Sequence, residues 1–228
     1  MIGIIGAMDI EVDILKQSVS SPVTTTVSGI NFVSGRLFDH DVVIAKCGIG
    51  KVFAAMCTEA MMINFKPELI INTGVAGSLS DKLHTMDVAI ARAVVHHDFD
   101  ASDIGDEKGR VSGLDSIEIP SDPAISLALE GIIKGFGINC VHGVIASGDQ
   151  FISDRDKKEE IKNEFSAVAC DMEGASIGQV CLVNKIPFTI IRSISDSADD
   201  NSGMDYATFA AAAARQSAKI VESFIMSL

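Results

Sequence analysis

The chain has 228 residues, 47% of them hydrophobic, which suffices for one good core and is short for two. Lys and Arg number 18 against 31 Asp and Glu, a formal charge of −13, and such a surface repels phosphate backbones and anionic lipid, excluding nucleic acid and membranes as partners. The five cysteines (Cys47, Cys57, Cys140, Cys170 and Cys181) are scattered through apolar or small-residue runs, a pattern of buried thiols in a reducing compartment rather than of a disulfide framework or zinc set.

Ile2 to Ile5 is a short apolar strand that breaks at Gly6-Ala7-Met8. No basic region precedes it, and Asp9 and Glu11 interrupt it early, so neither a signal peptide nor a membrane span is expected and the cytoplasm is the expected location. Ile10, Ile14 and Leu15 then recur at helical spacing over Asp9 to Gln17. Residues 22–28 and 31–38 form a hairpin about Ser28-Gly29-Ile30-Asn31. Val42 to Lys46 is a strand ending in Gly48-Ile49-Gly50, and Lys51 to Asn64, rich in Ala and Met, favours a helix.

Leu69-Ile70-Ile71 is a very apolar strand running into Asn72-Thr73-Gly74-Val75-Ala76-Gly77. Residues 87–95 make another strand, and the polar stretch 96–117 is a loop long enough to be functional or to lie at an interface. Asp122-Pro123 starts a helix reaching about Lys134. Val141 to Ala146 is a strand ending at Ser147-Gly148-Asp149, a charged helix fits 156–165, and another begins near Glu173. Pro187 to Ile191 leads a strand into Arg192-Ser193-Ile194-Ser195-Asp196. In the last helix Phe209, Ala213, Ser217, Ile220, Phe224 and Leu228 form one stripe. Apolar strands alternating with helices predict a single α/β domain over residues 1–228, with a central mixed sheet flanked by helices in three layers.

In such sheets ligands bind at the carboxyl ends of the strands, here marked by Gly6, Gly48, Gly74, Gly148 and Ser195. Gly3-Ile4-Ile5-Gly6 lacks the spacing of a dinucleotide fingerprint, and Gly48-Ile49-Gly50-Lys51 lacks the rest of a phosphate loop. Glu11, Asp149, Asp171, Glu173 and Asp196 follow strands or lie at strand-to-helix junctions. Carboxylates facing each other across a cleft suit glycosidic hydrolysis, one activating water and the other donating a proton. His96 and His97 are adjacent, so on a strand they point to opposite sides, and no metal site is expected.

Six ordered blocks extend this reading: Gly3-Ile4-Ile5-Gly6-Ala7-Met8 with Glu11, Cys47-Gly48-Ile49-Gly50-Lys51-Val52, Ile71-Asn72-Thr73-Gly74-Val75-Ala76-Gly77, Ser147-Gly148-Asp149-Gln150-Phe151-Ile152, Asp171-Met172-Glu173 and Arg192-Ser193-Ile194-Ser195-Asp196. With them the chain resembles the bacterial 5′-methylthioadenosine/S-adenosylhomocysteine nucleosidases of the nucleoside phosphorylase and hydrolase superfamily. The resemblance implies that fold, hydrolysis of adenine thionucleosides without a cofactor, and a homodimer. It further implies that Asp196 is the general acid at adenine N7 and that Glu11 activates water. By the same resemblance Glu173 binds the ribose hydroxyls, Met172 packs on the sugar, Phe151 stacks on adenine and the Ile152 backbone reads its edge. Ser195 and Arg192 support the site, and Met8, Ile49 and Val75 complete the substrate-binding set.

Val75 stands where some relatives have a small hydroxyl residue, and the loop after His97 is charged where the family often places apolar groups. The order of preference among thio-substituted substrates therefore stays open. So do three other readings: a hydrolase of aminodeoxyfutalosine type, a phosphorylase, and a nucleoside-binding module that keeps only the fold.

Overall fold

The computed structural model describes residues 1–199 and 202–228. In chain order its elements are β1 (Ile2–Gly6), α1 (Asp9–Ser18), β2 (Ser20–Val27), β3 (Ile30–Leu37), β4 (His40–Lys46), α2 (Lys51–Phe65), β5 (Leu69–Ser78), β6 (Val88–His96), β7 (Ile119–Pro120), α3 (Pro123–Gly135), β8 (Cys140–Ser147), α4 (Arg155–Phe165), β9 (Ala167–Asp171), α5 (Gly174–Asn184), β10 (Phe188–Asp196) and α6 (Ser202–Met226). A 3₁₀ turn spans Ser102–Ile104 within the long loop.

Alternation along the central strands assigns the two faces. Ile5, Val43 and Ile70 pack with Ala54, Cys57 and Met61 of α2 and with Ile177 and Cys181 of α5. Their neighbours Ile4, Ile44 and Ile71 point the other way, onto Val12 and Leu15 of α1, Leu129 and Ile133 of α3, and Val221 and Phe224 of α6. Burial on both faces is why these strands read as continuous apolar runs, and each such side chain contributes roughly 1.5–3 kcal/mol. The α3 start follows its sequence signal: Asp122 accepts the amides of Ala124 and Ile125, with Pro123 in the first turn.

The strands bond in the order β10-β6-β8-β9-β5-β1-β4-β3-β2, β7 pairs with β6, and β10 also joins β5, so five strands close into a ring. The sheet is mixed: β1–β4, β1–β5, β5–β10, β6–β8 and β8–β9 are parallel, and β2–β3, β3–β4, β5–β9 and β6–β10 antiparallel. Strand β5 places the cavity. On one side it pairs with β1 as far as Asn72, then takes β9 from Gly77. Between these positions its amides have no strand partner on that side, and Val75 and Ala76 line a cavity there.

Three sequence expectations are corrected. Gly74 does not end a strand but lies inside β5, which β10 pairs along Ile70 to Gly77. Strand β9 goes unseen in the sequence because Ala167-Val168-Ala169-Cys170-Asp171 is too short and too rich in small residues to show a period. On α6 the expected Ala213, Ser217, Ile220 and Phe224 are buried, with Ala210, Ala214, Ala218, Val221 and Ile225 beside them, but Phe209 is 37% exposed and Leu228, past the helix end, 58%.

Candidate active site

Glu11 is delivered by the first turn of α1, because the chain leaves β1 through Gly6-Ala7-Met8 without a conventional cap. Its Oε2 accepts the amides of Ala7 at 2.6 Å and Met8 at 2.9 Å, and its Oε1 accepts that of Val75 at 3.2 Å. A Cβ on Gly74 would stand 2.6 Å from Oε1, so the close approach needs glycine. Burial holds the Glu11 carboxyl above the ordinary glutamate range, opposed by Arg192 and by the three amides.

Asp196 ends β10 beyond an irregularity in the β5 register between Ile194 and Asp196, which re-aims its side chain. Ser195 Oγ donates to Oδ2 at 2.8 Å and the Ala198 amide to Oδ1 at 2.9 Å. Burial raises the Asp196 pKa against these bonds and one from Ser202. A carboxyl raised in this way is suited to carry a proton toward neutral pH.

Glu173 sits at the β9-to-α5 junction, its Oε1 accepting the Gly50 amide at 2.9 Å. Burial and the neighbouring Asp171 push its pKa up to about 7, against the pull of Arg192. Met8, Ile49, Val75, Phe151, Ile152, Met172 and Ser195 join these three acids around one cavity of about 430 Å³.

Arg192 alone among the expected site residues stays off the cavity wall. It is 1% exposed and lies beneath, with Nε donating to Asp171 Oδ2 at 2.9 Å and Nη2 donating to Asn72 Oδ1 at 2.5 Å while standing 2.6 Å from the same Asp171 oxygen as its ion pair. The Ser147 hydroxyl donates to the other Asp171 oxygen and accepts the Ala175 amide at 2.7 Å. Asp171, which also lines the cavity, is therefore a site residue that the sequence reading flagged by position but left out of the binding set.

Tyr206 was missed altogether. Its hydroxyl donates to Met8 Sδ at 3.2 Å, and its ring stands edge-on to Phe151 with centroids 5.6 Å apart. The usable signal was its being the chain's one tyrosine, early in the helix that follows Asp196. The two histidines diverge: His96 Nε2 bonds Gln179 Oε1 at 2.9 Å, while His97 packs against Gly148. Among the described residues no group of three His, Cys, Asp or Glu is placed to hold a metal ion.

The phosphorylase superfamily model matches residues 1–226. A 5′-methylthioadenosine/S-adenosylhomocysteine nucleosidase of Shewanella sediminis is 38% identical over 228 residues, covering 100% of this chain and 99% of the relative. The chain belongs to this nucleosidase family of the phosphorylase superfamily. Among solved structures, the nucleosidase of Neisseria meningitidis in complex with methylthio-immucillin-A superposes with a TM-score of 0.96 at 34% identity, covering 100% of this chain and 99% of that one. The futalosine hydrolase of Helicobacter pylori gives 0.95 at 33%, covering 100% and 97%. The family resemblance carried by the six blocks and the mixed α/β fold are thus borne out. No helix among the described residues is long and apolar enough to cross a membrane.

Proposed function

We infer that the chain hydrolyses the N-glycosidic bond of 5′-methylthioadenosine and S-adenosylhomocysteine, releasing adenine and the 5-thioribose product. The observation that carries this is the convergence of Glu11, Glu173 and Asp196 on one cavity whose wall, among the described residues, bears no Lys or Arg. Adenine stacks on Phe151 and is read by the Ile152 backbone, while Glu173 holds the ribose hydroxyls against Met172. As the bond between adenine and the anomeric carbon breaks, its electron pair leaves with the base and Asp196 protonates N7. Water adds to the cationic sugar and its proton passes to Glu11. Burial raises the Asp196 pKa and so favours the proton it must give, while on Glu11 Arg192 and the three amides oppose the burial that disfavours its charge.

Phosphorolysis requires a cation for the phosphate. Arg192 is bonded to Asp171 and Asn72 and flanked by Glu11 and Glu173, which supports water as the nucleophile. The test is a product assay with 5′-methylthioadenosine in phosphate-free buffer. Adenine and free thioribose are expected; strict dependence on phosphate with a sugar 1-phosphate product overturns the reading. The likeness to the futalosine hydrolase supports aminodeoxyfutalosine as an alternative substrate, and kcat/KM compared on the two nucleosides decides.

We further take residues 1–228 as one nucleosidase domain working in the cytoplasm, in keeping with its free cysteines, and as a homodimer. Val52, Phe53, Met56 and Ile63 leave α2 exposed and apolar, and Ile104, at the tip of the 96–117 segment, is 82% exposed. That segment is held on its own chain by Lys108, whose Nζ meets Glu160 Oε1 of α4 at 2.5 Å. Phe99 and Val111 are half-buried, so Ile104 is the side chain of this segment free to anchor on a second copy.

A further inference from the structure

Three motifs that the reaction leaves unused meet at one point outside the cavity: Gly50-Lys51 after β4, His97-Asp98 after β6 and Gly148-Asp149 after β8. Lys51 Nζ donates to Asp98 Oδ1 at 2.5 Å, Asp98 Oδ2 accepts the Asp149 amide at 2.9 Å, and Asp149 Oδ1 accepts the Lys51 amide at 2.8 Å. The three residues thereby close a ring of hydrogen bonds. Each flank of the ring carries a wall of the site. Gly50, next to Lys51, donates to Glu173, and Phe151 and Ile152 follow Asp149 in a stretch without regular structure. Lys51 is fixed in turn to α5, its carbonyl accepting the Ser176 hydroxyl at 2.7 Å.

We propose that Lys51, Asp98 and Asp149 are positioning residues that hold the Phe151–Ile152 wall at a set distance from Glu173. The proposal rests on the substrate reading above, since those walls are assigned to the adenine and to the ribose. The Lys51 and Asp98 side chains are only 21% and 18% exposed, so their attraction is screened less than that of a surface pair. Two of the bonds run from carboxylate to backbone amide, and these are the strong charge-assisted type. Burial draws the Asp98 carboxyl upward, but Lys51 and the Asp149 amide outweigh it and leave it below the ordinary aspartate range.

The test compares the full chain with Asp98→Ala, Lys51→Met, the double variant and Lys51→Arg. Two readouts are used: steady-state kinetics on 5′-methylthioadenosine, and amide hydrogen exchange of the ligand-free protein over residues 149–152. Each single variant is expected to raise KM about tenfold, the scale of one charge-assisted hydrogen bond, with kcat within about threefold and faster exchange. The double variant should be no worse than either single, because they break one unit, and Lys51→Arg should restore most of the KM. Asp149→Ala, whose side chain is exposed, serves should Asp98→Ala not fold; it also removes the acceptor of the Lys51 amide. Unchanged KM and exchange, or additive losses, overturn the proposal. A parent protein inert on the nucleoside while the variants still exchange faster would sink the substrate reading and leave the positioning role standing.

Discussion

Arg192 and Asp171 form an ion pair beneath the cavity, 2.6 Å from Nη2 to Oδ2, with both side chains almost fully out of solvent. Removing one partner strands the other's charge in a dry interior, which costs about 3–5 kcal/mol. Arg192→Met should therefore lower the melting temperature by about 10 °C. Arg192→Met combined with Asp171→Leu should regain only part of that, since Glu173 and Glu11 lose their buried cation and the Ser147 hydroxyl and Gly174 amide lose their acceptor. Scanning calorimetry on the three proteins checks this; a single variant that melts with the parent would show that the pair is not structural.

Asp196→Asn keeps the size of the side chain but cannot donate the proton. Turnover is expected to fall about 10²–10⁴-fold with substrate affinity retained and the melting temperature nearly unchanged. The parent's kcat/KM should decline on the alkaline side as Asp196 ionises, and the residual activity of the variant should lack that decline. A pH–rate profile beside binding of a non-hydrolysable analogue measures both.

Glu173 supplies a pH signature in stability. Its pKa is near 7 in the folded protein against the ordinary 4.5, so it is neutral in both states below about pH 4.5 and pays to ionise in the folded state above 7. The parent should accordingly lose stability through this group as pH rises from about 4.5 to about 7. Glu173→Gln, which does not titrate, should escape the loss. Melts at pH 5 and pH 8 are expected to show the variant gaining on the parent as pH rises; a constant difference would contradict the assignment.

Ile104→Glu places a charge on an exposed apolar tip without touching the core. If that tip completes the neighbouring site, the variant should sediment as a monomer and lose most of its activity while melting normally. Mixed with Glu11→Gln subunits it should recover part of the rate, because one hybrid site then holds both intact parts. A fully active monomer of the parent at assay concentration would exclude the arrangement.

Much of this was legible in the sequence for identifiable reasons. Ile4-Ile5, Val43-Ile44 and Ile70-Ile71 belong to strands buried on both faces, which show as short continuous apolar runs. Glu11 and Asp196 lie at the carboxyl ends of β1 and β10, both parallel to β5, and Glu173 reaches the same place from β9, which meets the far end of β5 antiparallel. What escaped depended on long-range pairing. The ring closure of β10 on β5 leaves no local pattern, and β9, five mostly small residues long, shows no period of its own. Tyr206 joins the site through the packing of α6 rather than through a strand end, and the Arg192–Asp171 pair is set by β10 and β9 both pairing with β5.

That closure also bears on how the protein behaves when concentrated. With β10 joined to β5, the long open border of the sheet among the described strands is β2. A bare strand border invites a second chain to add to it and start a stack. Here Pro22 lacks an amide to offer, the pairing slips between Ser20 and Val23, and Thr24, Thr25 and Thr26 are exposed polar side chains. Exchanging Pro22 and the threonines for valines would keep the hairpin and turn a self-limiting protein into one that precipitates.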